Sequence, residues 1–128
     1  MNNIVNMFIV GFGGFVGAAS RYLISGAFQK LSRDHGFPYG TLGVNLFGCL
    51  LIGFLGGCSD NVGFFSSKIR LLLFMGVLGG FTTFSTFGYE TMALFRDSEI
   101  TAAFINVGMH VVAGLFFVYL GYMLSALR

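Results

Sequence analysis

The chain predicts an all-α membrane protein with four transmembrane helices, and three observations carry that reading. Of its 128 residues, 55% are hydrophobic and only 9% are charged, against about 25% charged in ordinary soluble domains. The mean hydropathy is +0.83. Charged and turn-rich breaks leave four apolar stretches at residues 4–28, 39–57, 71–95 and 102–127, each close to or above the roughly 20 residues that cross a hydrocarbon core. Together they predict one four-helix transmembrane domain over residues 1–128. A β-barrel would alternate apolar and polar residues in segments of about ten. The runs Leu71-Leu72-Leu73-Phe74-Met75 and Val111-Val112-Ala113-Gly114-Leu115-Phe116-Phe117 are instead apolar on every face.

The first span has no basic residue ahead of it, the earliest being Arg21. It does not read as a cleaved signal peptide and is expected to stay. Its Gly11-Phe12-Gly13-Gly14-Phe15-Val16-Gly17 run is no dinucleotide fingerprint, because Val16 takes the place of the third glycine and no strand-helix-strand unit follows. Gly13 and Gly17 instead form a small-xxx-small pair, as do Gly53 and Gly57 in the second span and Gly76 and Gly80 in the third. Such pairs let helix backbones approach closely where lipid supplies no hydrophobic drive.

The second span carries Asn45, with Thr41 four residues earlier on a matching face. Cys49 and Cys58 have no His or Cys partner at metal-ligand spacing and read as small packing residues.

The third span is the most informative. Its centre reads Gly79-Gly80-Phe81-Thr82-Thr83-Phe84-Ser85-Thr86-Phe87-Gly88-Tyr89-Glu90. Two adjacent glycines and a cluster of hydroxyl residues are poor helix formers, so the helix is expected to break near the membrane midplane. Irregular backbone at that depth survives only where protein, water or an ion satisfies it. Carbonyls released at the end of the first half suit a hard cation, and N–H groups opening the second half suit an anion, so the break serves either. Phe84 and Phe87 are three apart on one face, and an aromatic ring presents a positive edge as well as a negative face.

Within the fourth span Asn106 and His110 are four apart on one face. Thr41, Asn45, Ser85, Thr86 and Asn106 are the donors able to replace water around a small, strongly hydrogen-bonding anion; interhelical hydrogen bonding is their plainer role. His110 is a secondary pore candidate. Glu90 is the one acid inside an apolar span, which makes it a functional candidate as a proton site, a vestibule residue or a partner for Arg21.

Sorting basic residues by side puts Lys68, Arg70 and Arg128 against Lys30, Arg33, Arg96 and Arg21. That near-balance gives no strong reason to insert one way. Insertion in both orientations, and an antiparallel homodimer, follow as an expectation.

The run Gly40-Thr41-Leu42-x-x-Asn45-Leu46-x-Gly48, followed by Gly79-Gly80-x-Thr82-Thr83-Phe84-Ser85-Thr86-Phe87-x-x-Glu90, resembles the Fluc (CrcB) fluoride channels over nearly the whole chain. The resemblance implies an antiparallel dual-topology homodimer in the bacterial plasma (inner) membrane, with two fluoride pores. By position it makes Phe84 and Phe87 the paired pore phenylalanines, Asn45 the pore-lining amide, and Ser85 and Thr86 part of the polar lining. Asn106 and His110 fall where the fourth helix lines the pore. It also implies a structural Na+ at the dimer axis, held by the backbone carbonyls of Gly79 and Thr82. Gly88 and Gly114 depart from the pattern, standing where relatives carry hydroxyls.

Passive fluoride export is therefore expected, with fluoride, a second copy of the chain and the lipid bilayer as partners and no nucleic acid. No nucleotide motif or transfer chemistry is visible, so no enzyme is expected. The rivals are a dual-topology exporter of small molecules or cations, for which the first span lacks an acid and the chain lacks Trp, and an assembly subunit using its polar residues as helix glue.

Overall fold

The computed structural model describes residues 2–32, 36–60 and 64–127. Arg33 and Arg128, two of the basic residues weighed for orientation, lie outside the described residues. Among the described residues the chain is all-helical, without strands, and four helices are long and apolar enough to cross a membrane. They are α1 (Asn2–Leu31), α2 (Tyr39–Asp60), α3 (Ser67–Arg96) and α4 (Ile100–Ala126).

Burial runs opposite to that of a water-soluble protein. The buried positions include Gly13, Gly17, Gly48, Gly53, Thr41, Thr91 and Asn106, whereas Phe8, Phe12, Phe15, Phe104 and Leu115 are exposed. Many large apolar side chains face outward because lipid tails solvate them as well as protein does, while small and polar ones share the interior with Leu42, Leu78, Phe81, Phe87 and Leu94.

Packing sorts the helices into two main pairs, α1 with the first part of α3 and α2 with α4. The glycine pairs sit in these contacts. A Cβ on Gly13 would lie 2.8 Å from the Leu72 carbonyl oxygen and 2.9 Å from the Gly76 Cα. One on Gly17 would run into the Val77 carbonyl. Gly80 in turn lies against Gly14, where an added Cβ would be 2.6 Å from the carbonyl oxygen. Between α2 and α4, Gly53 meets the Val118 backbone, Gly57 meets Ser125 and Gly121 meets the Leu50 carbonyl.

Three connections fix the ends. Gln29 on α1 clasps the start of α2, its Nε2 donating to the Phe37 carbonyl (3.1 Å) and its Oε1 accepting from the Gly40 N–H (3.0 Å). Ser66 caps α3 by accepting from Ile69 N–H at 3.4 Å. The turn from α3 to α4 closes with Ser98 N–H on the Phe95 carbonyl (3.1 Å) and Glu99 N–H on the Leu94 carbonyl (2.8 Å). That is the Schellman pattern, and Ser98 takes the left-handed position with φ 63°, where glycine is the usual occupant.

Within α3 the backbone changes character. A wide-turn π stretch, Leu71–Leu78, leads into Gly79–Phe81. Thr82 (φ −85°, ψ 157°) and Thr83 (φ −151°, ψ 120°) are extended, and α-helical geometry resumes over Phe84–Arg96. The stretch 71–81 lies on α1, whereas Phe84–Arg96 packs on the first part of α4, Ile100–Gly108.

Candidate functional site

The extended pair is held from α2. Asn45 Nδ2 donates to the Thr83 carbonyl at 3.0 Å, and Thr83 N–H donates to Asn45 Oδ1 at 2.9 Å. The side-chain amide therefore replaces a neighbouring peptide for this one residue. Because the Thr83 N–H is turned to Asn45, the Gly79 carbonyl loses its helical donor. Among the described residues the Thr82 carbonyl receives no backbone hydrogen bond.

Thr83 also opens the second stretch. Its Oγ1 accepts from Thr86 N–H at 3.3 Å, capping Phe84–Arg96. The same oxygen lies 3.1 Å from Thr86 Oγ1 and 3.4 Å from Ser85 Oγ. Ser85 and Thr86 are both exposed on the single chain. Phe84 and Ser85 open this helix after the two extended residues, so its start presents the positive end of the helix there.

Beside the extended pair lies a groove of about 380 Å³ whose walls include Asn45, Gly79, Thr82, Thr83, Phe84, Phe87 and His110, with Cys49 and Val111 further along. Phe84 and Phe87 have ring centroids 5.4 Å apart. Phe84 is 82% exposed and Phe87 8%. His110, in a π stretch of α4 (Met109–Ala113), lies with its ring 4.2 Å from that of Phe87 at an interplanar angle of 36°.

A second cavity, of about 480 Å³, lies on the other side of Thr83 and is lined by Arg21, Ser25, Thr41, Thr83, Thr86 and Glu90, among others. Thr41 donates to Glu90 Oε1 at 2.7 Å, while Glu90 Oε2 is buried without a partner among the described residues. Arg21 and Glu90 share this cavity without an ion pair between them. Thr83 belongs to both cavities and joins them.

The structure thus gathers Asn45, Phe84, Phe87, His110, Gly79 and Thr82 around one groove, and Thr41, Thr86, Glu90 and Arg21 around the next. Ser85 belongs to neither lining, and nor does Asn106. Asn106 is 0% exposed and donates through Nδ2 to Thr91 Oγ1 at 2.9 Å. Thr83 and Thr91 were not singled out from the sequence. Thr83 had a signal, a hydroxyl three residues before Thr86 in the position of an N-cap. Thr91 had a weaker one, a hydroxyl one helical turn beyond Phe87. Gly88 faces open space and Gly114 packs near Cys49 Sγ, so neither departure removes a groove-lining side chain of this chain.

Comparison with known proteins places these residues in context. A protein of Methylobacillus flagellatus named fluoride-specific ion channel FluC is 43% identical over 114 residues, covering 89% of each chain. Proteins with the same name from Chlorobium phaeobacteroides and Clostridium perfringens are 44% identical over 121 residues and 42% identical over 125. These alignments cover 94% and 98% of this chain and 93% and 97% of the relatives. The family model described as CrcB-like protein, Camphor Resistance (CrcB), matches residues 8–122, spanning all four helices and both cavities. The chain belongs to the CrcB family.

Proposed function

We propose that this protein is a fluoride-selective channel that lets fluoride leave the cytoplasm down its gradient, working as an antiparallel dual-topology homodimer in the bacterial plasma (inner) membrane. The observation that carries this reading is the groove where Asn45, Thr83, Phe84, Phe87 and His110 meet. The names of its relatives supply the anion.

On this reading the extended pair Thr82-Thr83 is a break in α3 at the bilayer midplane. Fluoride sheds water tightly held, so the lining must return comparable hydrogen bonds. Candidates are the second Nδ2 hydrogen of Asn45, the first-turn N–H groups of Phe84 and Ser85, and the hydroxyls of Ser85 and Thr86; the Thr41 proton is already given to Glu90. Ring edges of Phe84 and Phe87 add positive potential without a fixed charge that would trap the ion. The high exposure of Phe84 in one chain fits a lining completed by a second copy. The Arg21–Thr41–Glu90 cavity serves as the approach from one side.

A structural Na+ fits the same break. A hard cation takes oxygen ligands; the Gly79 carbonyl has lost its helical donor to Asn45, and the Thr82 carbonyl receives no backbone hydrogen bond. They would hold the ion near the dimer axis, where it supplies a fixed positive charge. Bound there, it also satisfies backbone that lipid cannot.

The test is efflux from liposomes loaded with potassium fluoride, triggered by a potassium ionophore and followed with a fluoride electrode beside a chloride control. Rapid fluoride efflux without chloride efflux is the expected result. Silence for fluoride from intact dimers in sodium buffer would sink the proposal.

A further inference from the structure

Thr91, buried at 8% exposure, makes two hydrogen bonds whose direction is fixed by chemistry. Its hydroxyl has one proton, and that proton goes to the Phe87 carbonyl at 2.8 Å. Toward Asn106 Nδ2, at 2.9 Å, it can therefore only accept. The backbone oxygen of Asn106 lies 2.9 Å from His110 Nδ1. A carbonyl cannot donate, so Nδ1 carries the ring proton and Nε2 presents its lone pair in the neutral ring. His110 in turn stacks on Phe87. The chain of contacts closes on itself, from the Phe87 backbone through Thr91, Asn106 and His110 to the Phe87 ring.

This ring of contacts joins α3 to α4 one turn from the groove. Without it, Phe87 and His110 would be held to each other by ring contact alone, on helices that otherwise meet through apolar side chains. A threonine bonding back to its i−4 carbonyl also bends a helix locally, which sets the direction of the Phe87 backbone.

We infer that Thr91, acting through Asn106, is the positioning residue that sets the Phe87–His110 ring pair in the groove. The inference rests on the channel reading above, with these two rings as part of the lining.

Thr91→Val keeps the shape and removes both hydrogen bonds; Thr91→Ser keeps the bonds. In the liposome assay, dimers of Thr91→Val are expected to release fluoride about fivefold more slowly than the unmodified protein, and Thr91→Ser within about twofold of it. In a His110→Ala background the valine substitution is expected to add no further loss, because the ring it helps to hold is gone. Unchanged efflux for Thr91→Val, no recovery with serine, or an undiminished loss in the His110→Ala background would overturn the inference alone. No efflux from the unmodified protein would overturn the channel reading and this inference with it.

Should Thr91→Val not assemble, Asn106→Leu, which keeps the shape and removes the other partner of the same hydrogen bond, decides the same point. Efflux slowed about fivefold supports the inference, and unchanged efflux overturns it.

Discussion

Asn45 grips Thr83 by both ends of a single peptide unit's worth of hydrogen bonding, its amide giving to the carbonyl and receiving from the N–H of the same residue. An α2 side chain thus fixes the backbone of α3 at the one place where α3 cannot fix itself. Asn45→Ala leaves a donor and an acceptor unpaired, each costing about 1–3 kcal/mol when buried. The purified protein is expected to melt several degrees lower and to lose most fluoride efflux. An unchanged melting temperature would show that Thr83 finds other partners.

Phe84→Ile tests ring electrostatics against simple volume. Isoleucine stays apolar and large but has no positive edge. Aromatic geometry is worth about 0.5–1.5 kcal/mol beyond burial, so fluoride efflux is expected to fall about fivefold to tenfold. Gel filtration should match that of the unmodified protein. Equal efflux from the variant would remove Phe84 from the pathway.

Gly17 lies where a side chain would enter the Val77 carbonyl. Gly17→Val is expected to cost more than about 3 kcal/mol, because backbone and not a flexible side chain stands in the way. The readout is yield and monodispersity in detergent. By contrast Gly14→Ala, with nothing within 4 Å of the added carbon, is expected to behave as the unmodified protein.

Ser98→Gly should stabilise. A non-glycine residue in the left-handed region bears about 1–2 kcal/mol of strain, partly offset by the greater freedom glycine has when unfolded. A net gain of about 0.5–1 kcal/mol is expected in thermal unfolding, with fluoride efflux unchanged.

Sodium removal gives a slower signature. If carbonyls of residues 79 and 82 hold the ion, transfer of the dimer into potassium-only buffer is expected to bring a gradual loss of efflux, restored by sodium. Activity indifferent to prolonged sodium depletion would remove the ion from the proposal.

The four helices were legible because runs such as residues 71–75 are apolar all round, and glycine pairs such as Gly13/Gly17 were legible because close helix approach permits little else. Partner choice was not. Nothing in the spacing says that both ends of the Asn45 amide are taken up by Thr83, or that Asn106 turns to Thr91 and leaves the groove to His110. Those pairings depend on the relative rotation of α2, α3 and α4, which the π stretches at Leu71–Leu78 and Met109–Ala113 alter by turns wider than sequence periodicity assumes. Gln29 escaped notice for a similar reason, since its partners Phe37 and Gly40 lie across a bend.

Residues 71–81 and Phe84–Arg96 belong to one stretch of chain but rest mainly on different neighbours, α1 and the start of α4. Mechanically, Thr82-Thr83 is a joint between two mounted arms, pinned by a third member through Asn45. Load applied to one arm reaches the other through the joint itself and through α2, which touches both. Substitutions along α1 therefore act on the first arm directly and on Phe84 or Phe87 at one remove.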